Sequence, residues 1–315
     1  MKHHKVLVLG GSGFVGRHLI NRLVRDGRQV MVPVRRRDKA KHLIHHPTVE
    51  VLEANIHDDA VLARLVAGQD AVINLVGILQ GSAADFERAH AALTRRTVAA
   101  CQAAGVLRYQ HMSALGASET GPSMYQRSKG AAESAVRASK LEWTIYQPSV
   151  VFGPEDKFLN MFATLARFAP VLPVGGAEVK FQPVWVEDVA DAFANTLDNP
   201  ASYHQSYPLA GPRVYTLREL VRFAAAASGH PRAVLALPDG IARLQARLME
   251  LAPGEPLLSR DNLDSMMVDN VAPAGWTPAP ELGITHAAME TAAADYLAGR
   301  HARTRYDAAR ARAKR

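Results

Sequence analysis

The sequence predicts an α/β protein built on a doubly wound parallel sheet, with a smaller C-terminal substrate lobe. Three observations predict it. Up to about residue 150, short apolar runs rich in β-branched residues alternate with segments of helical period. A glycine-rich turn, "GGSGFVG" (10–16), joins the first apolar run to the first helical segment. Beyond residue 150 the alternation loosens, punctuated by Pro154, Pro170, Pro173, Pro183, Gly175 and Gly176. Near-continuous apolar strands alternating with helices belong to parallel sheets covered on both faces. Right-handed crossovers then give the Rossmann arrangement.

Taken in order, strands read at 5–10, 29–34, 49–53, 71–77, 108–113 and 142–147. Helices fall between them at 14–26, 38–45, 58–67, 84–104 and 123–139. In 14–26, Phe14, Val15, Leu19, Ile20, Leu23 and Val24 share one apolar face at the 3.6-residue period. Further on, 179–186 reads as one strand, Asp188 as the N-cap of the next helix, and 217–229 and 239–251 as helices. Within the last, Ile241, Leu244, Leu248 and Leu251 form a stripe that lobe packing would bury; a lipophilic ligand, a partner or a membrane surface is the other reading. The division expected is a dinucleotide-binding core over 1–150, a substrate or partner lobe over 151–299 with 179–199 returning to the core, and a basic tail over 300–315.

The net charge of +7 is concentrated in that tail, which holds seven Lys/Arg and one Asp. The rest of the chain carries no basic stripe, so a specific nucleic-acid surface is not expected. The tail reads as a solvated extension, or as a contact for a protein complex or an anionic membrane surface. No apolar run reaches the ~18 residues of a membrane span. The first strand starts too early for a signal peptide, so a cytoplasmic product is expected, with attachment to the inner membrane as the alternative. A lone cysteine, Cys101, excludes an internal disulfide and a cysteine-based zinc site. It lies in an alanine-rich helical segment and reads as buried. The histidines show no ligand spacing, and no metal is expected.

The glycine turn carries the first functional reading. Gly10, Gly13 and Gly16 stand at G-x-x-G-x-x-G spacing between a strand and a helix. Gly10 permits the tight turn, Gly13 lets a pyrophosphate approach the backbone, and Gly16 lets the helix pack closely. The helix N-terminus then faces the phosphates, with Ser12, Phe14 and Val15 completing the contacts. The second strand ends "PVRRRD" rather than in the acid typical of NAD binders. Arg35 and Arg36 suit a 2′-phosphate, so NADP(H) is expected over NAD(H). Asn55 and Ile56 would border the adenine. Leu75, Val76 and Gly77 would lie along the cofactor, with Pro148 at the end of the sixth strand.

These features, with "NLVG", "HMSALGA", "YQRSK" and "QPSVVFGP" in that order, make the chain resemble the short-chain dehydrogenase/reductase superfamily. "INLVGIL", "PSVVFGPEDKFLNMFA", "FQPVWVEDVADA" and "LAGPRVYTLREL" resemble its atypical branch, which contains the NADPH-binding accessory subunit of respiratory complex I. The resemblance implies Tyr125 as general acid/base, Lys129 as holder of the nicotinamide ribose and tuner of the tyrosine, and Ser113 as hydrogen-bond partner of the substrate oxygen. Spacing agrees: four helical residues put Tyr125 and Lys129 on one face, ~6 Å apart along the axis, where an ammonium favours the phenolate. Glu133, four beyond Lys129, is a candidate ion-pair partner for it. One departure stands out. Gln147 precedes Pro148 where relatives often carry Arg, so a carboxylate anchored there would be held differently.

Three functions remain open. The first is an NADP(H)-dependent oxidoreductase acting on a carbonyl, an alcohol or a quinone-related, small or lipophilic substrate; epimerase- or dehydratase-like chemistry is a variant of it. The second is a non-catalytic NADPH-binding accessory protein of a respiratory or quinone-pathway complex. The third is a redox sensor. All three share the cofactor residues and differ at Tyr125.

Overall fold

The computed structural model describes residues 2–251, 254 and 256–298 of the 315. The basic tail at 300–315 lies outside the described residues. Six strands lead the chain: β1 (Lys5–Leu9), β2 (Gln29–Val34), β3 (Val49–Glu53), β4 (Ala71–Asn74), β5 (Arg108–Met112) and β6 (Glu142–Pro148). The short β7 (Val151–Phe152), β8 (Val171–Gly175), β9 (Lys180–Phe181) and β10 (Val184–Trp185) follow. The chain then gives β11 (Gln205–Leu209), β12 (Tyr215–Thr216) and β13 (Ala233–Leu237).

One seven-stranded sheet has the order β11-β6-β5-β4-β1-β2-β3, and every pairing in it is parallel. The order reverses between β1 and β4, the switch point where such sheets bind ligands outside their carboxyl ends. The central strands explain this topology. β4 is buried at all four positions, β5 at four of five, as strands covered on both faces must be.

The helices are α1 (Phe14–Arg25), α2 (Asp59–Val66), α3 (Ala83–Phe86), α4 (Leu93–Ala104), α5 (Met124–Arg137), α6 (Phe158–Phe168), α7 (Val186–Thr196), α8 (Leu217–Ala227), α9 (Asp239–Glu250), α10 (Arg260–Ser265) and α11 (Met289–Leu297). On one side of the sheet, Leu19, Ile20 and Leu23 of α1 pack with Val189, Ala190 and Phe193 of α7. On the other, Leu62 and Val66 of α2, Val98 and Cys101 of α4 and Val136 of α5 share a core with Tyr109, Trp143 and Ile145. A separate core gathers α6, α8 and α11 over the short strands. No helix among the described residues is long and apolar enough to cross a membrane.

Several expectations are corrected. Segment 38–45 is no helix: one 3-10 turn, Arg37–Ala40, precedes a series of turns, since only Ala40 and Leu43 there are buried apolar residues and His45-His46-Pro47 closes it. The strand at 179–186 divides into β9 and β10 around Gln182-Pro183, because proline has no N–H for a ladder. The seventh strand, β11, was not expected. It contains Pro208, which an edge strand tolerates. Asp188 is no N-cap; α7 starts at Val186, and the buried Asp188 carboxylate accepts the Ala287 N–H at 2.9 Å. The α9 stripe is not lobe core. α9 buries only Ala242 and Ala246, whose small side chains let it lie close to β8. Ile241, Leu244, Leu248 and Leu251 face outward, 54–78% exposed.

Candidate active site

The glycine turn separates three reasons for a missing side chain. Gly10 has φ +78°, a conformation that favours glycine. At Gly16 a Cβ would stand 2.5 Å from the Gly11 carbonyl oxygen, so the close approach is to the turn itself. Gly13 has φ −76°, open to any residue, and a Cβ there would meet only the Gly10 carbonyl oxygen, at 3.2 Å. Gly13 is also exposed and caps α1 without a side-chain hydrogen bond. The first N–H groups of α1 therefore face outward from a cradle without side chains, and such a terminus attracts anions. Ser12 and Phe14 flank it half-buried, and Val15 is buried beneath.

Arg35 and Arg36 are both exposed just past β2. Arg36 donates to both carboxylate oxygens of Asp38, at 3.1 and 2.8 Å, an anion that offsets the arginine cluster. Asn55 is exposed, and its side chain accepts the His57 N–H at 3.1 Å. Ile56 and Val76 lie against the core beneath α2 and α4. Leu75 is buried, and Gly77 is exposed. Pro148 closes β6, its carbonyl accepting the Leu115 N–H at 2.9 Å.

The structure brings Ser113 and Lys129 together. Lys129 Nζ donates to the Met112 carbonyl at 3.0 Å, one peptide from Ser113. Both side chains are buried, at 2% exposure. Ser113 Oγ has no hydrogen-bond partner among the described residues, an arrangement that costs stability unless something else satisfies it. Tyr125 lies one turn before Lys129 on α5. This helix begins with a capping box between Ser123 and Gln126. Gly130 lets it pass close to the loop at 118–119, where a Cβ would stand 2.4 Å from the Ser118 carbonyl carbon.

The electrostatics differ from the expectation. Burial pushes Tyr125 up to about 12 and Lys129 down to about 8. The tyrosine stays protonated at neutral pH rather than being tuned toward phenolate. Its ring sits edge-on to Phe86 and His90, at centroid distances of 6.3 and 5.6 Å, and the Lys129 ammonium is turned to a main-chain carbonyl. Glu133 takes no hydrogen bond from Lys129. Its carboxylate accepts from Gln147 Nε2 at 2.8 Å and from Arg137 at 2.6 Å. Gln147 thus anchors a carboxylate, with Arg137 contributing the charge.

In the sequence, His90 reads only as one of the histidines without metal-ligand spacing. It lies on a π-helical turn, Glu87–Ala92, that joins α3 to α4, a feature frequent at functional sites. Its Nε2 accepts the Ile78 N–H at 3.0 Å, so Nδ1 carries the proton and donates to Ser128 Oγ at 2.8 Å. Ser128 in turn donates to the Tyr125 carbonyl at 2.9 Å. Burial, with Lys129 and His111 nearby, pushes His90 down to about 2, so it remains neutral. It ties the segment after β4 to the Tyr125 helix. Spacing of apolar residues does not reveal a π turn, and no sequence signal marked this one.

A doubly wound parallel sheet, with an open glycine turn at its switch point, defines a nucleotide-binding α/β protein. A family model described as NAD(P)H-binding matches residues 10–200. The chain belongs to this NAD(P)H-binding family. It is 30% identical over 299 residues to the mouse (Mus musculus) protein named NADH dehydrogenase [ubiquinone] 1 alpha subcomplex subunit 9, mitochondrial, covering 92% of this chain and 78% of that one. It is 32% identical to a ceramide reductase of Caulobacter vibrioides, over 74% of each chain. In fold it is similar to the NADPH-dependent quinone oxidoreductase QOR2 of Escherichia coli complexed with NADPH (TM-score 0.75, 20% identity, 93% of this chain and 99% of that one).

Proposed function

We propose that the chain is an NADPH-dependent reductase of a carbonyl or quinone-type substrate. The observation that carries this reading is Ser113 Oγ, a buried hydroxyl without a partner among the described residues, one peptide from the carbonyl that takes the Lys129 ammonium. It would donate a hydrogen bond to a substrate oxygen. Bound NADPH would supply the hydride. Gly10, Gly13 and Gly16 with Ser12, Phe14 and Val15 would hold its pyrophosphate, and Arg35 and Arg36 its 2′-phosphate. Asn55 and Ile56 would border the adenine; Leu75, Val76, Gly77 and Pro148 would line the nicotinamide side.

The site's own residues supply the proton and hold the charge. Tyr125 keeps its proton at neutral pH and donates it to the substrate oxygen as negative charge builds there. Ser113 holds that oxygen, and the charged form of Lys129 stabilises the tyrosinate that forms. Lys129 would also contact the nicotinamide ribose.

The test is direct. Purified protein should oxidise NADPH with a panel of aldehydes and quinones, and Tyr125→Phe should cut kcat by about 10²-fold or more while leaving NADPH affinity within about twofold. Wild-type protein that holds NADPH and reduces nothing in the panel would remove the reading. Arg35→Ala with Arg36→Ala should weaken NADPH and leave NADH binding unchanged; equal losses for both would refute the 2′-phosphate contact.

A second reading has its own observation, the outward apolar stripe of α9. A protein seated on a respiratory or quinone-pathway complex would cover it and would keep NADPH for stability. Under this reading Leu244→Glu with Leu248→Glu abolishes co-migration with that complex on native gels, and Tyr125→Phe has no effect. Co-migration that survives the double charge substitution excludes the stripe as the contact.

A further inference from the structure

The start of α5 is held by a residue from the other end of the chain. Asp261, on α10, is 7% exposed. One carboxylate oxygen accepts the Met124 N–H at 2.6 Å and the other accepts the Tyr125 N–H at 3.1 Å. Ser123 Oγ accepts the next N–H, that of Gln126, at 3.0 Å. The first three donors of the helix are therefore all in use, two of them by an intramolecular anion.

The segment that carries Asp261 is tied down at two further points. Beside Asp261, Asn262 donates to the Leu79 carbonyl at 3.2 Å, and Asn270 donates to the Leu115 carbonyl at 3.3 Å. Segment 261–270 thus crosses the loops that follow β4 and β5, at the carboxyl edge of the sheet. Leu79, whose carbonyl takes the Asn262 bond, and Leu257, four residues before Asp261, are 63% and 52% exposed. The Tyr125 site thus holds buried groups of both signs, the Lys129 ammonium and, at the start of α5, the Asp261 carboxylate.

A helix N-terminus would otherwise receive a carboxylate or phosphate. With Asp261 there, a second anion finds no free N–H among the first three of α5 and meets a like charge beside them. A neutral carbonyl needs neither donor, since Ser113 Oγ has no partner among the described residues.

We propose that Asp261 is a specificity-determining residue that reserves the Tyr125 site for uncharged carbonyl substrates by occupying the backbone donors an anionic substrate would need. This rests on the reading of that site as the place of carbonyl reduction.

The experiment compares benzaldehyde with 4-carboxybenzaldehyde in NADPH oxidation, and benzamide with benzoate as ligands of the NADPH complex, read by nicotinamide fluorescence. Wild type, Asp261→Ala and the near-isosteric Asp261→Asn are measured, each with a thermal melt. Wild type should prefer the uncharged member of each pair by at least about tenfold. In Asp261→Ala that preference should fall by at least about tenfold in both assays; Asp261→Asn carries the same comparison where the alanine variant does not fold. Unchanged benzamide-to-benzoate ratios in a folded variant overturn the proposal, as does wild-type protein that accepts the carboxylate equally well. If no aldehyde is reduced but benzoate still gains affinity in Asp261→Ala, the reductase reading falls and the role of Asp261 stands.

Discussion

Burial acts on Tyr125 and Lys129 in opposite directions, because one becomes charged by losing a proton and the other by keeping it. Tyr125, at about 12, is a proton donor at every ordinary pH. Lys129, at about 8, is the group that titrates within the working range. Its charged form is the one that steadies a tyrosinate, and it exists below pH 8. Reduction should therefore show a kcat that is level from about pH 6 to 7.5 and falls above 8. Stopped-flow NADPH oxidation across pH 6–10 would show it. A rate that rises above pH 8 would mean that the tyrosinate, not the tyrosine, is the working form.

At the scale of elements, α5 depends on close approach. A methyl group at 130 would press into the Ser118–Glu119 peptide, where backbone cannot move aside. Gly130→Ala should cost about 1–3 kcal/mol, measured as a lower urea midpoint at unchanged m-value. How far the elements were legible follows from the same kind of contact. The six leading strands and α1 were readable because each buries a continuous or periodic apolar face. β11 was not, since its pattern is interrupted by Pro208 and its pairing with β6 is fixed by partners outside its own sequence. The outward face of α9 was misread because period reports amphipathicity without saying which side is covered; Ala242 and Ala246, small and easily overlooked, form the packed side. Within the candidate site, the nearness of Ser113, Tyr125 and Lys129 was legible from spacing and resemblance. His90 and Asp261 were not, since each acts through a main-chain N–H across 12 and 136 or more positions.

At the scale of the whole molecule, two polar clusters close the amino-terminal end of the sheet. Arg108, fully buried, donates to the carbonyls of Leu197, Glu142 and Thr196 at 2.7–2.9 Å and stacks 4.6 Å from the Tyr203 ring centroid. Beside it, Asp198 accepts from the His3 N–H at 3.0 Å and from Arg28 at 3.2 Å, tying the chain's start to the end of α7. Burial would push the Asp198 carboxyl up, but Arg28 and His3 outweigh it and hold it well below the usual range. A depressed folded-state value stabilises the fold above the unfolded value of ~3.9 and loses that contribution as pH falls. Asp198→Asn should lower the melting temperature by several degrees at pH 7. The gap should narrow steadily below about pH 4; a gap that stays constant down to pH 2 would show that charge is not its source.

The lone thiol of Cys101 lies on α4 with no solvent contact, and burial pushes it up to about 12. It is shielded by the core that α2, α4 and α5 build with the sheet, so a thiol reagent can reach it only when that core opens. The chain consequently carries its own stopwatch for opening, with no engineered label. Modification followed by mass spectrometry would time it. A ligand that binds only the closed form should slow the clock by the factor 1 + [L]/Kd, which ranks NADPH, NADP+ and NADH without any turnover. Even a variant that catalyses nothing would still reveal which nucleotide it holds.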